Sequence, residues 1–380
     1  MLKENAPVAI LQFGTSRFLQ AHVDLFVSQA LERGPDGQAL GRIAVVQTSD
    51  NPASAGRVAA LAGGAGYPVR IRGLQQGRPV DLTLHGHAVA LALQAERDWA
   101  QVRQLAARGE VQAIVSNTAD AGYQLDPLDG SALLAAPAQV PRSFPAKLLV
   151  LLHHRWCTQP EAPLSLFPCE LVERNGDVLR QLVAGLAAQW ALDAAFVQWL
   201  QAHCVWANSL VDRIVSEALQ PVGAVAEPYA LWAIERQPGL QLPCVHEAIV
   251  LTDELALHER LKLFLLNAGH SFLAERWLQD RRGADETVLQ ALHDPALRAE
   301  LEALWADEVL PVFTALGQRA AADAYLVALR ERLLNPFLAH RLADIAQNHA
   351  QKKQRRFASL IALADQLGCR HAQARLRAAL

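Results

Sequence analysis

The chain holds little of what marks several functional classes. Basic residues do not dominate: 35 Lys and Arg stand against 38 Asp and Glu, for a net charge of -3. The electrostatic footprint of a nucleic-acid binder is therefore missing. The densest basic run, Lys352-Lys353-Gln354-Arg355-Arg356, is short and reads as a solvated helix face in preference to an anion site. No apolar run reaches the roughly 18 residues of a membrane span. The five cysteines are odd in number and none are spaced C-x-x-C, which argues against a disulfide framework and a structural zinc site. His85 and His87 lie two apart with no third ligand in view, so no metal is expected. Met1 leads through Lys3-Glu4-Asn5 into an apolar strand without a charged leader and cleavage pattern. The simplest expectation is a reducing cytoplasm and no membrane partner.

What is present is a well-cored chain of 380 residues, 52% hydrophobic and 19% charged, long enough for two domains. Val8–Phe13 is an apolar run ending at Gly14. Phe18 to Leu31 then shows helical periodicity, and a second apolar run follows at Ile43–Gln47. Strand, glycine turn, helix and strand within that span make a βαβ unit. Gln112–Asn117 and Leu164–Glu170 read as further buried strands, and Asp81–Val89 as a strand or hairpin arm. From about residue 255 the pattern changes. Leu255–Leu278, Glu286–Trp305, Ala320–Leu334, Phe337–Asn348 and Gln354–Leu380 are Ala/Leu/Arg-rich with helical periodicity. The expected class is α/β: a strand-and-helix domain over 1–254, then an all-helical domain over 255–380, with no internal repeat.

Gly14-Thr15-Ser16-Arg17-Phe18 follows a strand and opens a helix. That is where a dinucleotide pyrophosphate sits, on exposed helix N–H groups. The full G-x-G-x-x-G fingerprint is absent, so the pattern alone does not separate a cofactor turn from a plain strand–helix turn. Its place as the first βα turn favours the cofactor, and Arg17 offers a charge-assisted phosphate contact. The second strand runs into Gln47-Thr48-Ser49-Asp50, and Asp50 is the candidate for a ribose 2′-hydroxyl, favouring NAD with NADP as the alternative.

The run Lys262-Leu263-Phe264-Leu265-Leu266-Asn267-Ala268-Gly269-His270 sets a lysine, a carboxamide and an imidazole in an apolar stretch. At about 100° per residue on an α-helix, Lys262 and Asn267 lie about 140° apart, and Asn267 and His270 about 60° apart. Asn267 and His270 share a face, and a long lysine can curl towards them. Polar groups inside Leu/Phe packing need partners or a purpose, since unpaired polar burial costs a few kcal/mol. Spacing alone also allows a snorkelling lysine beside a hydrogen-bonded Asn/His pair.

Several stretches, in order along nearly the whole chain, together resemble the mannitol dehydrogenase family of polyol and sugar-acid dehydrogenases. They are Ile10-Leu11-Gln12-Phe13-Gly14 with Arg17-Phe18-Leu19-Gln20-Ala21; Ser116-Asn117-Thr118-Ala119-Asp120-Ala121-Gly122; Ser143 to Leu148; Phe167 to Gly176; Asn208-Ser209-Leu210-Val211-Asp212-Arg213-Ile214-Val215; the Lys262 run; and Asn335-Pro336-Phe337. The resemblance implies a Rossmann-type N-terminal domain, a helical C-terminal domain and metal-independent hydride transfer with a nicotinamide cofactor. It implies Lys262 as general acid/base, Asn267 and Asn208 as amides on the reacting oxygen, and His270 as the group orienting it. Gly14, Thr15, Ser16, Arg17 and Phe18 then form the cofactor turn, with Asn117 and Thr118 near the nicotinamide ribose.

A lysine is a weak base at its reference pKa of about 10.4, and burial among Leu263, Phe264, Leu265 and Leu266 would lower it. Asp212 and Arg213 read as an ion pair shaping the site or as substrate contacts. Arg332 and Lys352 are candidates for a carboxylate or distal hydroxyl. The substrate expected from the resemblance is a hexuronate-type sugar acid such as tagaturonate or fructuronate. An alditol of the mannitol or arabinitol kind is the alternative, because Asn208 looks alditol-like and Gln347 to Lys352 departs from the family pattern. A catalytically silent dinucleotide-binding protein is the alternative of another class. The expected partner is that small molecule, on a monomer or small homo-oligomer.

Overall fold

The computed structural model describes residues 6–34, 38–49, 52–118, 120–369 and 373–380. The chain divides into two compact units. The first comprises 1–70, 83–226 and 230–255; the second comprises 71–82, 227–229 and 256–380. A cut at 254/255 alone leaves two short pieces, a hairpin tip at 71–82 and the tripeptide 227–229, outside the helical unit to which they belong.

In the first unit, β1 (Val8–Phe13) is followed by a short helix Arg17–Gln20, a second helix Val23–Glu32 and β2 (Arg42–Gln47). The single helix expected from Phe18 to Leu31 is thus broken at Ala21-His22. β3 (Tyr67–Gln75) and β4 (Arg78–Gly86) form the hairpin arm, and β5 (Val89–Gln94) leads into the helix Ala95–Ala106. Next come β6 (Ala113–Ser116), the helix Phe144–Thr158, β7 (Leu164–Pro168), two helices over Asn175–Gln189 and Ala194–Ala202, and β8 (Cys204–Trp206). The sheet order is β5-β2-β1-β6-β7-β8, and every pairing in it is parallel. Counted along its own strands, this is the 3-2-1-4-5-6 order of a doubly wound dinucleotide fold. Parallel strands covered on both faces should be continuously apolar. β1, β2 and β6 read Val-Ala-Ile-Leu-Gln-Phe, Arg-Ile-Ala-Val-Val-Gln and Ala-Ile-Val-Ser, buried beyond their first residues. Smaller sheets are added by β9 (Ser209–Asp212), β10 (Val215–Ala218), β11 (Ala224–Ala226), β12 (Leu231–Glu235) and β13 (Ile249–Thr252), in the orders β10-β11-β3-β4 and β13-β12-β9.

Trp190, Phe196, Trp199 and Trp206 pack in the first core with Phe13, Leu149 and Leu166. Each large side chain buried this fully contributes roughly 1.5–3 kcal/mol by leaving water. Arg155, in the last turn of its helix, is buried, its guanidinium donating to the carbonyls of Ala106 and Arg108 at 2.9 Å and Pro163 at 3.2 Å.

The second unit is helical, with its own core around Phe264, Leu265, Trp305, Phe313 and Phe357. The 255–278 segment is helical throughout but not uniformly α. Leu255–Arg260 is α, Leu261–Asn267 is a π-helix and Ala268–Gln279 is α again. Two further π segments lie at Trp305–Val309 and Gln354–Ala358. Asp294 ends one helix and caps the next, its carboxylate accepting from the Ala296 and Leu297 N–H groups, so the 286–305 stretch holds two helices. Phe337–Asn348 holds only the single turn Leu342–Ile345. There Arg341 forms a β-bridge with Thr287 instead of continuing a helix.

Candidate active site

In a doubly wound sheet the ligand crevice lies beyond the strand ends where strand order reverses. Here that point falls between β1 and β6, at Phe13-Gly14 and Ser116-Asn117-Thr118. Gly14 has φ of +119°, and a Cβ on it would stand 2.8 Å from the Asn117 carbonyl oxygen. Only glycine fits both demands. Ser16 caps the helix Arg17–Gln20, accepting from the Leu19 N–H at 3.3 Å. Arg17 is exposed at the first helical position. Phe18 stacks on His22 at 4.8 Å. Arg57, which the sequence reading did not single out, donates to the Thr15 carbonyl at 3.1 Å and adds a second guanidinium to this turn. A narrow glycine turn flanked by two arginines at the switch point suits a dinucleotide pyrophosphate. Asp50 lies outside the described residues.

Asn117 and Thr118 hold the strand ends together. The Asn117 amide donates to the Cys169 carbonyl at 2.8 Å, and its oxygen faces Ser16 Oγ at 3.5 Å. The Thr118 N–H and hydroxyl both donate to Glu170 Oε1 at 2.9 Å, while the Ser116 hydroxyl donates to Oε2 at 3.0 Å. Burial raises the Glu170 pKa and these donors oppose the rise. Arg213 is anchored to the first helix, donating to the Ala21 carbonyl, and Asp212 is buried at the end of β9.

Asn208 is fully buried, and its amide hydrogens go to Glu235 Oε2 at 2.7 Å and Asp177 Oδ2 at 3.2 Å. Its oxygen takes the Asp177 N–H at 3.0 Å. Both donors of this amide are thus engaged by carboxylates of the same unit.

In the second unit the π segment changes the geometry assumed from sequence. The Ala268 N–H reaches back to the Leu263 carbonyl, five residues earlier. With i→i+5 bonding, residues five apart fall close to one face instead of about 140° apart. Lys262 and Asn267 are five apart. Both are half-buried, whereas Leu261, Phe264, Leu265 and Leu266 turn into the core. Lys262 is thus only half enclosed by the Leu/Phe packing around it. The Asn267 side-chain amide has no hydrogen-bond partner among the described residues. His270 is buried, with Nε2 lacking a hydrogen-bond partner among the described residues and the ring edge-on to His340 at 4.8 Å. Burial holds the His270 pKa well below its ordinary value, and His340, Arg356, Arg332 and Lys352 push it the same way.

Those neighbours differ in how their charge is answered. Arg332 is buried in an ion pair with Glu227 at 2.9 Å and stacks on Tyr229 at 4.2 Å. The sequence offered it as a carboxylate contact, but Glu227 already neutralises it. Lys352 donates to the Ile345 carbonyl at 2.8 Å. Arg356 is half-buried and donates through Nη1 to the Asn267 carbonyl at 3.1 Å and Ser271 Oγ at 2.8 Å. The basic run at 352–356 is thus not simply a solvated face. Lys353 pairs with Glu275 at 3.0 Å, and Arg356 turns towards the Asn267 segment. No feature local to Arg356 in the sequence signals this, because its partner lies 89 residues away.

The sequence profile of the mannitol dehydrogenase Rossmann domain matches residues 8–242, and that of the mannitol dehydrogenase C-terminal domain matches 254–379. The chain belongs to the mannitol dehydrogenase family. It is 31% identical over 370 residues to the altronate oxidoreductase of Halalkalibacterium halodurans, covering 91% of this chain and 69% of that one. It is 30% identical over 387 residues to that of Bacillus subtilis, covering 95% and 76%. Its fold is that of Pseudomonas fluorescens mannitol 2-dehydrogenase, solved with NAD and D-mannitol, at a TM-score of 0.77 and 19% identity over 99% of this chain and 78% of that one. A D-sorbitol dehydrogenase solved in substrate-free form gives 0.76 at 20% identity, over 94% and 76%. As a member of the family the chain is a nicotinamide-dependent dehydrogenase acting on CH–OH groups, with a Rossmann-like N-terminal domain and a helical C-terminal domain. Among the described residues no helix is long and apolar enough to cross a membrane, and no cluster of three His, Cys, Asp or Glu could hold a metal.

Proposed function

We propose that the chain interconverts a secondary alcohol and a ketone on a six-carbon sugar acid of the altronate/tagaturonate kind, with NAD as cofactor. Residues 1–254 serve as the cofactor domain and 255–380 as the substrate and acid–base domain. The observation that carries the reading is the π turn, which sets Lys262 and the uncommitted Asn267 amide on one face beside the unpartnered His270 Nε2.

The bound nicotinamide supplies or accepts the hydride at the reacting carbon. Lys262 as the amine takes the hydroxyl proton in oxidation, and as the ammonium returns it to the carbonyl oxygen in reduction. Asn267 donates to that oxygen and stabilises the charge that develops there. His270 stays neutral because it is buried among cations, so it orients the oxygen through a hydrogen bond without competing for the proton. With the Asn208 amide committed to Asp177 and Glu235, Asn267 is the amide assigned to this role.

Two observations support an acid over an alditol. The relatives at 31% and 30% identity are altronate oxidoreductases. The groups that perturb His270 electrostatically are all basic, which suits an anionic substrate. The NAD assignment rests on Asp50 following β2, the position of a ribose-hydroxyl acceptor.

Purified protein is assayed with NAD⁺ and NADP⁺ against hexonates and the matching alditols, following reduced-cofactor absorbance. The expected result is turnover of a hexonate with NAD⁺. Turnover of alditols alone would replace this reading with an alditol dehydrogenase. Silence across the panel would point to a binding protein.

A further inference from the structure

We infer that Arg356, assisted by Lys352, receives the carboxylate of the substrate and is the residue by which this chain selects an acid over an alditol. The inference rests on the sugar-acid reading and names the side chain that performs it.

Two cations near His270 lack a counter-charge among the described residues. Around His270 the nearby carboxylates are already engaged: Glu227 with Arg332 at 2.9 Å, Glu275 with His349 and Lys353 at 2.8 and 3.0 Å, and Asp344 with Arg341 at 3.1 Å. Arg356 and Lys352 have no carboxylate within ion-pair distance among the described residues, although both are half-buried. A partly desolvated cation without a counter-charge is costly, and burial pushes the Arg356 pKa down to about 10. Such a group persists where something else supplies the opposite charge, and a bound anion does so.

Geometry then selects Arg356 over its neighbours. Nη1 is pinned between the Asn267 carbonyl and Ser271 Oγ, the residues that bracket His270 in the chain. Pinning one corner of the planar fork fixes its orientation. Nε and Nη2 have no protein partner among the described residues and are not sealed from solvent. Those two parallel donors match a carboxylate in bidentate fashion. Arg332 is also a fork, but Glu227 fills it. An anchored guanidinium beside Asn267 and His270 therefore offers a site for an anionic end of the molecule whose hydroxyl those residues hold. The pyrophosphate of the cofactor is the other anion available, and the experiment separates the two.

The test compares kcat/KM for a hexonate with that for the alditol carrying CH2OH in place of the carboxylate, in wild type, Arg356→Gln, Arg356→Lys and Lys352→Gln. Losing a charge-assisted bidentate contact should lower the acid-to-alditol ratio roughly ten- to hundredfold in Arg356→Gln. Arg356→Lys should recover part of it, and Lys352→Gln should lose less. Should Arg356→Gln fold poorly, the Lys variant carries the test, since it keeps the charge and removes the fork. A ratio that stays at the wild-type value in both Arg356 variants, with the acid still turned over, overturns the inference and leaves the sugar-acid reading standing. A weaker NADH Kd with an unchanged ratio also overturns it, in favour of the cofactor pyrophosphate. Wild type that turns over alditols and no acid overturns both.

Discussion

The guanidinium of Arg356 donates to the backbone carbonyl of Asn267 at 3.1 Å. Each residue belongs to a π segment, Gln354–Ala358 and Leu261–Asn267. A widened turn disturbs the ordinary i→i+4 ladder, and side chains supplement its carbonyls. Arg356 does so at Asn267, and the Trp305 indole does so at Leu265, at 3.2 Å. The wide turn that places Lys262 and Asn267 on one face is thus held by packing and hydrogen bonds from elsewhere in the helical unit.

Gly269 belongs to that support. A Cβ there would lie 3.1 Å from Trp305 Cζ2 and 3.4 Å from its Nε1. Gly269→Ala makes the indole give by a few tenths of an ångström and strains its bond to Leu265. Overpacking of this kind costs about 1–3 kcal/mol, set against a helix-propensity gain of about 1 kcal/mol, and the buried Trp305 leaves the balance a net loss. Urea denaturation should show that loss, with a fall in kcat greater than in cofactor affinity. An unchanged midpoint and unchanged kcat would mean that the Trp305 contact does not hold the turn.

The cofactor turn makes a separate demand on Gly14. Its φ of +119° and the 2.8 Å approach to the Asn117 carbonyl leave no room for a methyl group. Gly14→Ala should cost on the order of 1–3 kcal/mol in local strain. NADH titrated by fluorescence should then bind at least about tenfold more weakly. Wild-type affinity in this variant would place the dinucleotide elsewhere.

His246 gives the first unit a pH-dependent stability. Its ring stacks on Phe26 at 4.3 Å, Nε2 meets Gln29 Oε1 at 2.9 Å, and Nδ1 accepts the Ala248 N–H at 3.1 Å. That acceptor role needs the neutral ring, and burial first of all pulls the pKa from 6.5 to about 4. Between those values the unfolded chain binds more protons than the folded one, so stability rises with pH. The contribution is whole above about 6.5 and disappears as pH falls through about 4. Thermal melts at pH 7.5 and 4.5 should therefore show a larger drop for wild type than for His246→Gln. Equal drops would remove His246 from the account.

Much of the fold was legible because its signals are local. The apolar run Val8–Phe13, the glycine after it and the return at Ile43–Gln47 announce a parallel βαβ unit. The change to Ala/Leu/Arg periodicity near 255 announces a helical unit. What the sequence hid was non-local or a matter of degree. An α and a π turn bury the same Leu/Phe set, so hydrophobic periodicity does not separate them, and Lys262 was placed about 140° from Asn267 on that account. Asn208 looks like an open amide until Asp177 and Glu235 close on it. Arg332 and Arg356 look alike in sequence; only the fold gives Glu227 to one and the Asn267 carbonyl to the other. Arg155 clasps the carbonyls of Ala106 and Arg108, about fifty residues earlier in the chain, a contact that no local pattern signals.

The most direct measurement concerns Lys262. In Lys262→Ala the Rossmann-type unit is untouched, so NADH should bind with wild-type affinity by fluorescence titration. Single-turnover oxidation of bound NADH by the keto-acid should slow by at least roughly 10²–10⁴, the usual contribution of a positioned acid–base group. An alanine variant that binds NADH and turns over within about tenfold of wild type would contradict the assignment of Lys262 as the proton-transferring residue.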